Sequence, residues 1–213
     1  MLEARGITFG YPGADPLYRD FDLAIEPGER IAISAPSGFG KTTLARILAG
    51  FEQPQAGQVL CDGAPLPAYG VCPVQMVGQH PELAVDSRLR MVRTLSEAGP
   101  AALDAGLLDA LGIRVDWLCR YPHELSGGEL QRFCIARAVA VNPSYLVADE
   151  VTTMLDAVTQ AQVWELLLDW QRRCDAGIVF VSHSPALTER IATRVVDLAV
   201  CEENERCGLS DFC

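Results

Sequence analysis

No apolar stretch in this sequence is long enough to cross a bilayer. Its strongest apolar runs, such as Ile178 to Val181, are strand-length, whereas a spanning helix needs roughly 20 residues. The N-terminus, Met1 to Gly6, also lacks the basic and then apolar layout of a signal peptide. A cytoplasmic protein is expected, peripheral on the inner face of the cell membrane, with any membrane role coming through a partner. Positive charge is scarce as well: 17 Lys and Arg stand against 28 Asp and Glu, a net charge of -11. A general grip on nucleic acid needs a basic surface to displace counterions, so no nucleic-acid partner is expected. The eight cysteines, at positions 61, 72, 119, 134, 174, 201, 207 and 213, include no Cys-x-x-Cys, and a cytosolic setting favours free thiols. Cys201, Cys207 and Cys213 are evenly spaced in an acidic tail. Their spacing fits no zinc pattern, so a loose tail with free thiols is preferred to a metal or redox clip. Internal repeats and low-complexity linkers are absent too, and 213 residues suit one domain, or one domain carrying an inserted lobe.

What is present begins with short strands over residues 2–34. Tyr11-Pro12-Gly13 and Glu26-Pro27-Gly28-Glu29 supply turns, and Arg30 to Ser34 reads as an apolar strand. A helix is expected from Lys41 to Ala49, stopped by Gly50, then a strand from Gln58 to Cys61 and a tight turn at Asp62-Gly63. From about Pro81 to Arg120 the pattern turns helical, with Arg88 to Glu97 and Ala101 to Leu111 as candidate helices. The remainder alternates: helix Gly128 to Val141, strand Tyr145 to Ala148, helix Asp156 to Arg173, strand Ile178 to Val181, helix Pro185 to Thr193, strand Arg194 to Val200. Such alternation implies a parallel sheet with helices on both faces.

Three motifs carry chemistry. Ala35-Pro36-Ser37-Gly38-Phe39-Gly40-Lys41-Thr42-Thr43 follows a strand and opens a helix, the setting a phosphate-binding loop requires. Its amides and the helix N-terminus would face phosphate oxygens. Lys41 would reach the β- and γ-phosphates of ATP, and the Thr42 hydroxyl would ligate Mg²⁺. The first position departs from type, with Ala35 where glycine is expected, and alanine resists positive φ. Second, the strand run Tyr145 to Ala148 ends in Asp149 and Glu150, a placement that puts two carboxylates beside the loop in a parallel sheet. Asp149 would hold the Mg²⁺ hydration shell and Glu150 would act as general base on the attacking water. Third, Leu125-Ser126-Gly127-Gly128-Glu129-Leu130-Gln131-Arg132 lies between the other two motifs. Backbone amides at a glycine-rich helix start form an anion site.

With these motifs in this order, the chain resembles the ATP-binding-cassette ATPases over about residues 1–200. The resemblance implies an α/β phosphate-loop NTPase fold. Its mainly parallel core would carry an N-terminal antiparallel β subdomain and a short inserted helical subdomain, about residues 81–141, with residues 201–213 as an acidic tail. It implies two cassettes facing head to tail, so that Leu125, Ser126, Gly127, Gly128 and Glu129 act on the partner's ATP. It also implies roles for single residues. Tyr11 matches the aromatic that stacks on adenine, although a tyrosine at such a position is equally at home in surface packing. Gln79 matches the glutamine that touches Mg²⁺ and reports to a transmembrane partner, with Gln75 as a competing candidate. Asp156 matches the aspartate of the loop between cassettes and is also a plain helix N-cap. His183 matches the switch histidine at the γ-phosphate; His80 and His123 lack that placement.

Tyr121 to Glu124 and Asp149 to Asp156, leading into Thr159 to Gln162, are similar to the peptide/nickel importer branch. The short interval from Gln79 to Leu125 departs from that branch, whose cassettes carry a longer helical lobe. The expected function is ATP hydrolysis powering uptake of a peptide, nickel or metal-chelate solute. Expected partners are a second cassette, a paralogue in preference to an identical chain, permease subunits and, indirectly, a solute-binding protein. The alternative is an accessory ATPase of a soluble complex of the carbon–phosphorus lyase type. A DNA-repair or translation cassette would bring coiled-coil inserts, tandem cassettes or basic surfaces, none of which the sequence shows.

Overall fold

The computed structural model describes residues 1–199. The cysteine-bearing tail, Cys201, Cys207 and Cys213, lies outside them. In chain order the regular elements are β1 (Leu2–Phe9), β2 (Tyr18–Ile25), β3 (Arg30–Ser34), α1 (Lys41–Leu48), β4 (Ala56–Cys61), β5 (Ala64–Pro65), β6 (Val74–Val77), α2 (Met91–Ser96), α3 (Ala105–Ala110), α4 (Gly127–Ala140), β7 (Tyr145–Asp149), α5 (Ala157–Cys174), β8 (Gly177–Val181), α6 (Pro185–Ile191) and β9 (Arg194–Asp197). Short 3-10 turns fill much of the segment between β6 and α4.

Two sheets result. An antiparallel sheet runs β2-β1-β4-β5, and a wholly parallel one runs β6-β7-β8-β3-β9. The central strands β7, β8 and β3 are apolar on both faces, as burial under helices on each side demands, whereas the edge strand β9 is largely exposed. Side chains alternate across its pleat. Ile31, Ile33, Tyr145, Val147, Val179 and Val181 join the core formed with α1 and the antiparallel sheet. Ala32, Leu146, Ala148, Ile178 and Phe180 face the other way, into a core shared with α4, α5 and the helical segment around α2 and α3. The inserted segment therefore shares one core with the sheet.

Several expectations shift by a residue or two, and four change by more. The helix expected over Ala101 to Leu111 breaks in two. A 3-10 turn covers Pro100–Leu103, and Asp104, whose side chain accepts from the Leu107 amide, restarts the chain as α3. Capping of this sort competes with helix continuation. The helix expected over Arg88 to Glu97 is only Met91–Ser96, because Arg90 is extended. The last strand stops at Asp197, before the expected Val200. The strand β6 had no signal in the periodicity: it is four residues long, with Gln75 in its middle.

Candidate functional site

The phosphate loop links β3 to α1. Gly38 and Gly40 adopt φ of 88° and 82°, a region only glycine enters without strain. At Gly40 a Cβ would also sit 2.7 Å from the Tyr18 hydroxyl, and that hydroxyl donates to the Gly40 carbonyl at 2.8 Å. Tyr18, on β2, thus braces the loop from the antiparallel sheet; sequence reasoning gave it no role. Ala35 is not among the positive-φ residues, so its departure from glycine carries no backbone strain. Lys41 is the only lysine in the chain. Its Nζ donates to the carbonyls of Ala35 at 2.8 Å and Pro36 at 3.1 Å, which hold the ammonium folded over the loop. Thr42 is exposed and Thr43 buried.

Tyr11 stands beside this loop. Its ring lies edge-on to Phe9, with centroids 5.2 Å apart, and its hydroxyl is 3.2 Å from Thr43 Oγ1. The side chain is 47% exposed, which leaves ring surface open to a stacking partner.

The carboxyl ends of β7 and β8 close the site from the other side. Asp149 is buried, and its Oδ1 has no hydrogen-bond partner among the described residues. Burial raises its pKa above 3.8 and the neighbouring Glu150 charge adds to this. A hydrogen bond from Thr42, with Lys41 and His183 nearby, pulls the other way, and the net shift is upward. Glu150 takes a left-handed φ of 52°, which costs a non-glycine residue of order 1–3 kcal/mol and is characteristic of functional sites. Its amide donates to the Val181 carbonyl at 3.2 Å. Its carboxylate meets His183 Nε2 at 2.7 Å. His80 instead pairs with Glu82, and His123 stacks on Tyr121, so His183 is the histidine that joins the acidic end.

Gln79 is exposed two residues beyond Val77. Val77, the last residue of β6, pairs in register with Ala148, so Gln79 leaves β6 at the same end of the sheet at which Glu150 leaves β7. Gln75 lies within β6 and donates to the Cys72 carbonyl, away from the strand ends.

The Ser126 to Arg132 run opens α4 with a capping box. Ser126 Oγ accepts from the Glu129 amide at 3.3 Å, and Glu129 Oε2 accepts from the Ser126 amide at 2.7 Å. The Ser126 amide, expected to face an anion, is therefore taken by Glu129. The Gly127 and Gly128 amides belong to the first helical turn, whose N–H groups have no intrahelical acceptor. Both glycines pack against the loop that follows Glu150: a Cβ on Gly127 would sit 2.9 Å from Met154 Sδ, and one on Gly128 would sit 3.0 Å from Leu155 Cδ2 and 3.1 Å from the Met154 carbonyl. Between Ser126–Glu129 and Met154–Asp156 lies a cleft of about 350 Å³. Asp156 caps α5, with Oδ1 accepting from the Val158 and Thr159 amides. These bonds, with that from the Thr159 hydroxyl, lower its pKa.

The structure thus gathers the loop, Asp149, Glu150, His183 and Gln79 at one edge of the parallel sheet, with the signature run, Leu125 to Arg132, and Asp156 bordering a separate cleft. Besides Tyr18, two residues without an expected role stand out. Gln131 Nε2 donates to the Gly78 carbonyl at 3.0 Å, and Arg132 donates to the Leu111 and Gly112 carbonyls and to Thr159 Oγ1, each at 3.2 Å. Both sit inside the conspicuous run, and that position was the available signal.

The family model described as ABC transporter matches residues 18–153. The nickel import ATP-binding protein NikE of Rhodospirillum rubrum is 37% identical over 206 residues, covering 89% of this chain and 74% of that protein. The glutathione import ATP-binding protein GsiA of Escherichia coli is 36% identical over 192 residues; the match covers 82% of this chain but only 30% of that protein. Among solved structures, the dimeric post-hydrolysis state of the ATP-binding cassette MJ0796 bound to ADP and Pi superposes with a TM-score of 0.80 at 23% identity, covering 92% of this chain and 94% of that one. That likeness shows the fold.

Proposed function

This chain belongs to the ABC transporter family, and we propose that it is the ATP-hydrolysing subunit of an importer, with the site residues acting as follows. Lys41 leaves the Ala35 and Pro36 carbonyls for phosphate oxygens, with the loop amides around it. Tyr11 offers its ring to the adenine. Asp149 supplies a buried, unpartnered carboxylate oxygen next to the Thr42 hydroxyl. Two hard oxygen donors so placed fit a hydrated Mg²⁺, with Gln79 as a further oxygen donor. Bound there, the metal would neutralise phosphate charge. Glu150 orients and deprotonates the attacking water, and His183 fixes the Glu150 carboxylate through their 2.7 Å contact and approaches the γ-phosphate. The Ser126 hydroxyl and the Gly127 and Gly128 amides serve the ATP held by a second cassette, and Asp156 lies where the two cassettes would meet.

The observation that supports this reading most is the left-handed Glu150, held against His183 directly after the buried Asp149. The names of the relatives support an import role and a nickel- or glutathione-like cargo. Permease subunits, a paralogous second cassette and a solute-binding protein are the partners such a role needs. No helix among the described residues is long and apolar enough to cross a membrane. The test is Glu150→Gln: phosphate release should fall by about 10²-fold or more while binding of a fluorescent ATP analogue is retained. Turnover at the wild-type rate would overturn the assignment.

A further inference from the structure

Gln131 is 1% exposed and sits on α4 five positions after the cap Ser126. Its amide nitrogen holds the Gly78 carbonyl at 3.0 Å, and Gly78 directly precedes Gln79. Its carbonyl oxygen is buried and has no hydrogen-bond partner among the described residues. A buried acceptor left unmade is unfavourable, and native proteins rarely keep one without a reason. The side chain therefore has one hand engaged and one open, both inside the core beside the Gln79 segment.

Its neighbour works in the opposite direction. Arg132 reaches the Leu111 and Gly112 carbonyls and the Thr159 hydroxyl, and that hydroxyl donates to Asp156 Oδ2 at 2.8 Å. One turn of α4 thus connects the Gln79 segment, the helical lobe and the Asp156 cap, while its own first turn carries Ser126 to Glu129. A helix transmits a displacement along its length as a rigid element, so a shift of residues 78–80 reaches Ser126 through Gln131.

We propose that Gln131 is a positioning residue that ties the Gln79 segment to the signature helix. The open Oε1 accepts a backbone N–H of residues 78–80 when nucleotide draws that segment toward Glu150. The inference rests on the ATPase reading above and adds to it the contact by which one chain's nucleotide site sets the orientation of the signature run it presents to its partner.

Gln131→Met keeps the side-chain length, deletes the orphaned acceptor and removes the bond to Gly78. In Mg·ATP, it should fold with a melting temperature close to wild type, because the Gly78 carbonyl loses its donor as the orphaned acceptor is deleted, and should bind a fluorescent ATP analogue a few-fold more weakly, because the new contact forms only with nucleotide bound. Its turnover should nonetheless fall by about tenfold. A residue that merely holds the core together would lower melting temperature and turnover in step, and that result overturns the proposal. In a double-mutant cycle, adding Gln131→Met to Gln79→Ala should cost nothing further; fully additive losses overturn it. Hydrogen exchange on the wild-type chain needs no variant. ATP should increase protection of the residue 78–80 amides, and unchanged protection there counts against the contact. If wild type itself neither hydrolyses ATP nor loses ATP binding on Lys41→Ala, the functional reading fails, an outcome distinct from any failure of Gln131.

Discussion

At the scale of single residues, Lys41 has an unusual position: every other side-chain cation that is not histidine is arginine. Lys41 is therefore the one side-chain amine in this sequence that an amine reagent can modify. Trinitrobenzenesulfonate should inactivate the protein with one modified lysine per chain, mapped to Lys41 by peptide mass spectrometry, and saturating ATP should protect it. Loss of activity with Lys41 unmodified would detach the loop from catalysis. Asp149 supplies a second test. Its folded pKa lies above its unfolded value, so the folded state binds its proton more tightly. The ionised carboxylate therefore weakens the fold as pH rises through the raised value, and the penalty vanishes below the unfolded value near 3.8. Asp149→Asn should raise the melting temperature of the nucleotide-free protein at about pH 7, with the gain shrinking as pH falls toward the unfolded value. The same change should abolish the dependence of ATP affinity on Mg²⁺. A melting temperature lowered equally at all pH values would show that Asp149 is a structural carboxylate.

At the scale of elements, the signature glycines fit a crowded space. Neither has positive φ, so backbone freedom does not explain them; proximity to the Met154–Leu155 loop does. Alanine for glycine in a helix gains up to about 1 kcal/mol in propensity. At Gly127 the new methyl meets only the flexible Met154 thioether, and stability should hold or rise. At Gly128 it meets the Met154 backbone carbonyl, which cannot step aside, and overpacking of about 1–3 kcal/mol should exceed the gain. Thermal melts of Gly127→Ala and Gly128→Ala should thus diverge, while turnover falls in both because each Cβ screens the helix amides. Equal melts would discount the close packing. This scale also marks where the sequence is legible. The alternating strands and helices of the second half read directly from apolar periodicity, since two-faced burial leaves continuous apolar runs. The lobe around α2 and α3 reads poorly, because Asp104 interrupts it by local capping and Arg90 by an extended backbone whose guanidinium reaches the Cys119 carbonyl, and periodicity registers neither. The loop and the acidic pair were legible because glycine and paired carboxylates at strand ends have few structural uses; His183 was singled out only through the family resemblance, since a lone histidine at a strand end is usually structural. Tyr18 and Gln131 were not, since their importance comes from bonds to residues far away in sequence, Gly40 and Gly78.

At the scale of the whole molecule, the phosphate loop and the signature run border different spaces: the loop lies with Asp149 and His183, the run with Met154 to Asp156. If catalysis needs both, no single chain holds a complete site, and the expected assembly is head to tail between two cassettes. Specific activity of the purified chain should then rise with protein concentration, and should rise further when a paralogous cassette is added. Complementation isolates the geometry. A Lys41→Ala chain retains its signature run, and a Gly128→Asp chain retains its loop, so a mixed dimer contains one intact composite site and one doubly damaged one. Mixing the two inactive variants at high concentration should restore turnover well above either alone, measured as phosphate release against the unmixed controls. A mixture as inactive as its components, under conditions where wild-type dimers are seen by sedimentation, would confine the site to one chain and remove the shared-site mechanism.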